Sequence, residues 1–155
     1  MNVDVESLME LISAVKQECL ALEEEIRARA DLSPAEYTCL CSMPTSGEIG
    51  AGPLARLMEL SPSRASRVVE RLARRGLLLR AASDSDRRVS RLRLSTSGRA
   101  LRRKVEALRG ECETRLRERL PSRELAQVRR GLGLLLEGLT ASRAERPAGR
   151  ARGRR

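Results

Sequence analysis

The sequence is poor in aromatic residues and contains no histidine. Tyr37 is the only aromatic side chain in 155 residues, with no Phe and no Trp. Proteins that bind single strands stack bases on aromatic rings, and interfacial membrane anchors use Trp and Tyr, so both classes are disfavoured. The missing histidine also argues against an enzyme, since the chain offers no glycine-rich phosphate loop and no nucleophile–base pair in its place.

Long apolar runs and targeting signals are missing as well. No stretch approaches the length needed to span a bilayer. The acidic N-terminus lacks the basic region and apolar core of a secretory signal. Four cysteines without such a signal are typical of reduced thiols in the cytosol. We therefore expect a cytoplasmic protein with no membrane partner.

Positive charge is abundant, and it is distributed unevenly. The chain has 31 Lys and Arg against 21 Asp and Glu, a formal net charge of +10. Residues 1–26 are rich in acid, whereas the excess of arginine begins near Arg56 and continues to the C-terminus. This asymmetry favours a polyanionic partner, with nucleic acid ahead of an anionic membrane.

Apolar periodicity predicts a mainly α fold with a small β-hairpin. A seam in four–three steps predicts a helix before Asp31, and Ser33-Pro34 is a good start for a second helix to about Met43. The glycines and prolines of 44–53 predict a loop. Two further helices, two strands around a turn at 83–86, and two long helices complete the prediction. Their predicted bounds are Leu54–Leu60, Pro62–Arg75, Leu77–Arg80, Val89–Leu94, a long helix after Ser95-Thr96-Ser97-Gly98, and a last helix after Leu120-Pro121-Ser122.

This order of elements divides the chain into four segments. We predict an N-terminal dimerisation helix (1–33), a winged helix-turn-helix DNA-binding domain (34–98), C-terminal dimerisation helices (99–141) and a disordered Arg-rich tail (142–155). The apolar seams of the flanking helices allow two interpretations. They either cover the core of one chain or interlock with a second copy as a homodimer, which would hide otherwise exposed apolar stripes.

The middle segment contains a set of short motifs in a characteristic order. They are Leu54-Ala55, Leu60-Ser61-Pro62-Ser63, the run from Ser66 to Leu72, Arg75-Gly76-Leu77, Asp86-Arg87-Arg88, Leu94-Ser95 and Gly98. Through these residues the segment resembles the MarR family of winged helix-turn-helix transcription regulators. Two departures are conservative or mild, namely Ser95 where Thr is usual and Glu59 where Gly is frequent. The resemblance implies a homodimeric repressor on palindromic DNA, released by a small-molecule inducer or by oxidation.

The arginine-rich helix is the first candidate for contact with duplex DNA. Its N-terminal residues would meet base edges in the major groove, and arginine favours bidentate contact with guanine. Arg88 is the candidate for the minor groove, and Asp86 for holding the wing. The candidate DNA-binding residues are Ser61, Ser63, Arg64, Ser66, Arg67, Arg71, Asp86, Arg87 and Arg88.

Each of these assignments has a simpler alternative. The helix arginines would form a merely solvated face if the segment were a winged helix used for protein contacts without sequence-specific DNA binding. Arg91 and Arg93 are either binders of the DNA backbone or the polar face of a strand. One of Ser61 and Ser63 is explained by helix capping alone.

The cysteines are the remaining unusual chemistry. Cys19 and Cys112 lie on apolar seams, and Cys39 shares an apolar face with Leu40 and Met43. Cys41 lies about 200° from Cys39 around a helix. The four thiols are either small core hydrophobes or a redox switch, a soft-metal site or an iron–sulfur site. The resemblance implies that the first, second and fifth helices approach one another near the dimer interface, which would bring Cys19, Cys39 and Cys112 together.

Overall fold

Six helices and one small sheet make up the part of the chain that the structure describes. The computed structural model describes residues 7–81 and 91–144. In chain order the elements are α1 (Leu8–Ala30), α2 (Pro34–Ser42), β1 (Ile49–Gly50), α3 (Ala51–Leu57), α4 (Pro62–Arg74), β2 (Leu78–Ala81), β3 (Arg91–Leu94), α5 (Thr96–Arg119) and α6 (Ser122–Ala144). The strands form an antiparallel sheet in the order β1–β3–β2. The predicted fold class, mainly α with a small wing sheet, is confirmed, and none of the described helices is long and apolar enough to cross a membrane.

Local capping chemistry explains where α2 begins. The Ser33 hydroxyl accepts from the backbone N–H of Glu36, at 3.4 Å, and a Glu36 carboxylate oxygen accepts from the backbone N–H of Ser33, at 3.0 Å. This reciprocal capping box satisfies two backbone donors that a helix start leaves without partners. Pro34 follows as the first helical residue, where its missing N–H costs nothing. The predicted start at Ser33-Pro34 is thus confirmed.

The predicted loop over 44–53 is wrong in its second half. Ile49 and Gly50 form β1, which pairs with Leu92 and Arg91 of β3, so the wing sheet has a third strand. α3 then begins at Ala51 and ends at Leu57, several residues earlier than predicted. Pro53 is tolerated there because it lies in the first turn of the helix, where its backbone N–H would have no partner.

A left-handed residue follows each helix of the helix-turn-helix. Glu59, in the turn between α3 and α4, has φ 52°, and Gly76, after α4, has φ 69°. Glycine would suit the position of Glu59, since only glycine adopts a left-handed conformation without cost. Gly76 closes α4 as predicted, with its backbone N–H donating to the Ala73 carbonyl at 2.9 Å.

One aliphatic core joins all the elements from α1 to the first half of α5. α5 is also held by polar contacts, because Lys104 donates to the Arg29 carbonyl at 2.6 Å and Arg102 to the Leu40 carbonyl at 2.7 Å. In each contact a cationic side chain of α5 binds a carbonyl near the C-terminal end of another helix, α1 or α2, where the helix dipole favours positive charge. The most deeply buried side chains are Leu40, Leu54, Leu72, Leu78, Leu92, Val105 and Cys39.

The chain divides after Cys112 into two compact units. The second unit contains the end of α5 and the whole of α6. Within it, Glu113 forms ion pairs with Arg117 at 2.6 Å and with Arg129 at 3.6 Å. α6 continues to Ala144, so the prediction of disorder from residue 142 is wrong for its first three residues. The rest of the predicted Arg-rich tail lies outside the described residues.

The apolar seams are only partly buried within one copy of the chain. On α1, Ile26 is buried at the C-terminal end, whereas Leu8 and Val15 are 64% and 45% exposed. On α6, no side chain between residues 122 and 142 is buried. Large exposed apolar side chains on these helices and on the end of α5 are Leu8, Met9, Leu11, Val15, Leu20, Leu116, Val128, Leu132, Leu134, Leu136 and Leu139.

Candidate nucleic-acid interface

α4 separates its apolar and polar residues onto opposite sides. Ala65, Val68, Val69 and Leu72 are buried, as predicted, and anchor the helix in the core. Arginine side chains at positions 64, 67 and 71 are exposed on the outer side. Because apolar burial fixes the rotation of the helix, the arginines are held facing outward.

The arginines form a single stripe along the helix. Arg64, Arg67, Arg71 and Arg74 are spaced by three, four and three residues, and residues at this spacing lie on one face. We call these four residues the α4 arginine stripe. Arg74 was not among the predicted site residues, although the same spacing in the sequence extends to it. Glu70 is the only acidic residue in α4, so the helix presents mostly positive charge.

The start of α4 exposes two hydroxyl groups. Ser61 occupies the N-cap position, but its side chain makes no capping hydrogen bond. Its Oγ lies 3.3 Å from the Oγ of Ser63 instead, and both residues are exposed. Capping therefore does not account for Ser61. These hydroxyls, with the exposed Ser66, lie beside the first arginines of the stripe and are suited to contact a phosphate oxygen.

The wing is described only at its base. β2 and β3 pair from Leu78 opposite Leu94 to Ala81 opposite Arg91. Arg91 and Arg93 alternate with the buried Leu92 and Leu94 and are exposed, which places them on the outer side of the strand. The predicted wing contacts Asp86, Arg87 and Arg88, like the turn at 83–86, lie outside the described residues.

An ion-pair junction, formed by Arg75, Asp31 and Glu36, ties the end of α4 to α1 and α2. Arg75 donates to the Asp31 carbonyl at 2.8 Å and carboxylate at 3.0 Å, and its second nitrogen lies 3.4 Å from Glu36. Glu36 is only 7% exposed. Burial alone would raise the pKa of Glu36, but hydrogen bonds from Ser33 and the charge of Arg75 outweigh it and lower the pKa.

The junction predicts a specific loss of stability in acid. Because the folded pKa of Glu36 lies below its unfolded value, the ionised carboxylate stabilises the fold above that unfolded value, about 4.3. This contribution is lost as the pH falls through the lowered folded pKa. Glu36→Gln should therefore be less stable than wild type near neutral pH, by about 1–3 kcal/mol, and the difference should shrink below about pH 4.

Chemical denaturation at a series of pH values measures this difference. Glu24→Gln, on the exposed side of α1, is the control and should follow the wild type throughout. The assignment would be contradicted if the difference in free energy of unfolding between wild type and Glu36→Gln stayed constant from neutral pH to about pH 3.

The four cysteines are all free, and their surroundings differ. Cys39 is fully buried, and burial, with a smaller effect of the Glu36 charge, raises its pKa to about 12. Since the thiolate is the reactive form, burial disfavours reaction at Cys39. Cys19 is exposed, whereas Cys41 and Cys112 are half-buried. Burial also raises the pKa of Cys41 despite the nearby charges of Arg102 and Arg109.

The predicted convergence of thiols is not seen. Within residues 7–81 and 91–144, no group of three or more Cys, Asp or Glu side chains is arranged to hold a metal ion. Cys19 is exposed on α1, because the apolar seam that contains it is not covered within one chain, whereas Cys39 is on the buried side of α2. This part of the chain gives no support to the predicted soft-metal or iron–sulfur site.

Comparisons with known proteins identify the fold and relate its central segment to a known family. Residues 32–90, which span α2 to the wing, match the model of the MarR family. This segment is therefore similar to the MarR family. The known proteins that the chain resembles are transcriptional regulators and not enzymes, in agreement with the sequence prediction. Comparison with curated proteins gives no match.

Solved structures of this family extend the likeness to most of the chain. Wild-type MarR from E. coli in its apo form is 25% identical, with a TM-score of 0.72 and 86% of this chain and 98% of that chain covered. YusO from Bacillus subtilis is also 25% identical, with a TM-score of 0.63 and coverages of 85% and 99%. A point mutant of S. aureus MepR bound to an oligodeoxyribonucleotide is 19% identical, with a TM-score of 0.65 and coverages of 87% and 99%, and shows likeness of fold.

Proposed function

We propose that this protein is a transcriptional regulator, a homodimeric repressor that binds palindromic double-stranded DNA through α4 and the wing. The observation that carries the proposal is the outer side of α4, where exposed serines and the α4 arginine stripe lie on a helix anchored by four buried side chains. The N-terminal end of such a helix usually enters the major groove. The MepR mutant of the same fold, bound to an oligodeoxyribonucleotide, supports this use of the fold.

Within this proposal, the residues have different roles. Arg64 and Arg67 are nearest the helix start and are assigned to base edges, where a bidentate contact with guanine is the commonest specific interaction. Ser61, Ser63 and Arg71 are assigned to phosphates, which set the position of the protein on the duplex. Arg88 and Arg87, with Asp86, are assigned to the wing and its minor-groove contact.

The exposed seams support the dimer. Apolar side chains such as Leu8 on α1 and Leu136 on α6 are 64% and 68% exposed. A row of this kind is costly to leave in water and marks an interface. A two-fold dimer would place two copies of α4 about one DNA turn apart, which requires a palindromic site. A cytoplasmic location and release by a small-molecule or redox signal complete the proposal, and the thiol candidates are the exposed Cys19 and the half-buried Cys41 and Cys112.

Selection from a randomised duplex library, followed by fluorescence anisotropy at several salt concentrations, tests DNA binding. We expect palindromic sequences to be enriched and the affinity to fall steeply with salt, because bound phosphates release counterions. Arg64→Ala and Arg67→Ala should each weaken binding by about 1–3 kcal/mol and relax the selected sequence. Arg71→Ala should weaken binding to all sequences and reduce the salt dependence.

The matched control is Arg123→Ala, which removes an exposed arginine from the first turn of α6. Its affinity should equal that of the wild type. Selection that enriches no sequence, together with equal affinities for wild type, Arg64→Ala and Arg67→Ala, would contradict the proposal and favour a winged helix used for protein contacts.

A further inference from the structure

A groove lies between the loop that precedes β1, the end of β3 and the first turns of α5. It consists of two adjoining cavities of about 440 Å³ and 240 Å³, which share Thr45, Leu94 and Arg99. We call it the α5 groove. Its size is that of a site for a small molecule. The polar side chains at its rim that matter here are Thr45, Ser46, Arg93, Arg99 and Arg103.

Positive charge dominates the α5 groove. Arg102 and Glu106 also line it, but they pair with each other at 2.8 Å, and Arg102 donates to the Leu40 carbonyl as well. Glu48 is then the one remaining carboxylate among its lining residues, against three guanidinium groups. Arg93 and Arg103 form no ion pair with any residue that the structure describes.

Arg99 is held in place for a ligand. One of its terminal nitrogens donates to the Leu94 carbonyl at 2.9 Å and the other to the Thr96 hydroxyl at 3.3 Å. A guanidinium carries five N–H groups, so these two contacts orient it and leave its other N–H groups available to a ligand. Fixing a long side chain before binding lowers the entropy that a ligand must overcome.

The α5 groove is separate from the proposed DNA-binding surface. β3 begins at Arg91, directly after segment 82–90 of the wing, and ends at Leu94. The groove lies at the Leu94 end of the strand. The pairing of Ile49 with Leu92 places Glu48 next to Arg93 at that same end. Three residue steps along a strand span about 10 Å, so the groove does not continue the wing base, and none of the α4 arginine stripe lines it.

We propose that the α5 groove binds a small anion with at least two ionised oxygens, such as a phosphate or a polycarboxylate. Guanidinium groups match the geometry of both oxyanions and pair with them through two parallel hydrogen bonds. The hydroxyls of Thr45 and Ser46 add neutral donors on the opposite wall. Arg99 and Arg103 are assigned to the anion, with Arg93 at the open end beside Glu48.

Isothermal titration calorimetry of the full chain without DNA tests this inference, with inorganic phosphate and with citrate as probes at constant ionic strength. We expect saturable binding of at least one probe and a loss of affinity of at least about tenfold in Arg93→Gln with Arg103→Gln. Arg64→Gln with Arg67→Gln, and Arg123→Gln alone, should bind as the wild type does. Since no DNA is present, the result is independent of the proposed function.

Amide chemical-shift mapping of the wild type gives a second measurement that needs no variant. The larger shifts should fall on residues 45–48 and 99–103. Stronger binding of phosphate would indicate a phosphate ester as the ligand class, and stronger binding of citrate a polycarboxylate. The inference is overturned if neither probe saturates, if the shifts centre on the start of α4, or if the Arg93→Gln, Arg103→Gln protein binds like the wild type.

Discussion

Gly98→Ala should lower the free energy of unfolding by about 3 kcal/mol, at the upper end of what overpacking costs. A Cβ at position 98 would overlap the Leu77 carbonyl oxygen and lie 3.0 Å from the Leu77 carbonyl carbon and 3.3 Å from Leu94. The atoms in the way are mainly backbone, so no side chain can rotate to make room. α5 would have to move away from the sheet.

The neighbours of Gly98 make this movement costly. The buried Ser95 hydroxyl donates to the Gly76 carbonyl at 2.6 Å and accepts from the Gly98 N–H at 2.9 Å. The Ser95 N–H in turn donates to the Leu77 carbonyl at 3.0 Å. Moving Gly98 would break bonds between partly buried polar groups, each costing about 1–3 kcal/mol if left without a partner.

Gly110→Ala is the matched control, because it makes the same change later in α5. A Cβ at position 110 would meet nothing within 4 Å. Alanine is the better helix former, so this variant should gain about 0.5–1 kcal/mol. Urea denaturation at one fixed protein concentration measures both variants. Equal stabilities for Gly98→Ala and Gly110→Ala would show that the contact with Leu77 does not constrain the fold.

The elements with a local signal were predictable from the sequence. Ser33-Pro34 starts α2 through a capping box, and Gly76 ends α4 in a left-handed conformation. β1 was not predictable because two residues, Ile49 and Gly50, carry no periodicity and become a strand only by pairing with β3. The start of α3 at Ala51 was not predictable either, because glycine and proline occur both in loops and in the first turn of a helix.

The candidate site shows the same division between local and long-range information. The outward face of α4 follows from the spacing of its arginines and could be predicted. The junction of Arg75 with Asp31 and Glu36 depends on three elements meeting, and no pattern near any of these residues indicates it. The α5 groove combines Arg93 and Arg99 with a loop far away in the sequence, so only the fold reveals it.

Leu132→Glu with Leu139→Glu should convert the proposed homodimer into monomers. The two side chains are 52% and 47% exposed and lie seven residues apart on the same face of α6. Two carboxylates in each copy of an apolar interface would have to lose water without a partner, a cost of several kcal/mol for each ion. Sedimentation velocity measures the change in mass.

The same variant should lose at least about tenfold in affinity for a palindromic duplex, because two unlinked copies no longer share the second binding event. Its helical circular dichroism should remain, since neither side chain is buried within one copy. Gln127→Glu with Ala141→Glu is the control, which adds the same charge on the opposite side of α6. If the Leu132→Glu, Leu139→Glu variant still sediments as a dimer, the interface does not include this face of α6. The exposed apolar residues of α1, such as Leu11 and Val15, would then be tested by the same substitution.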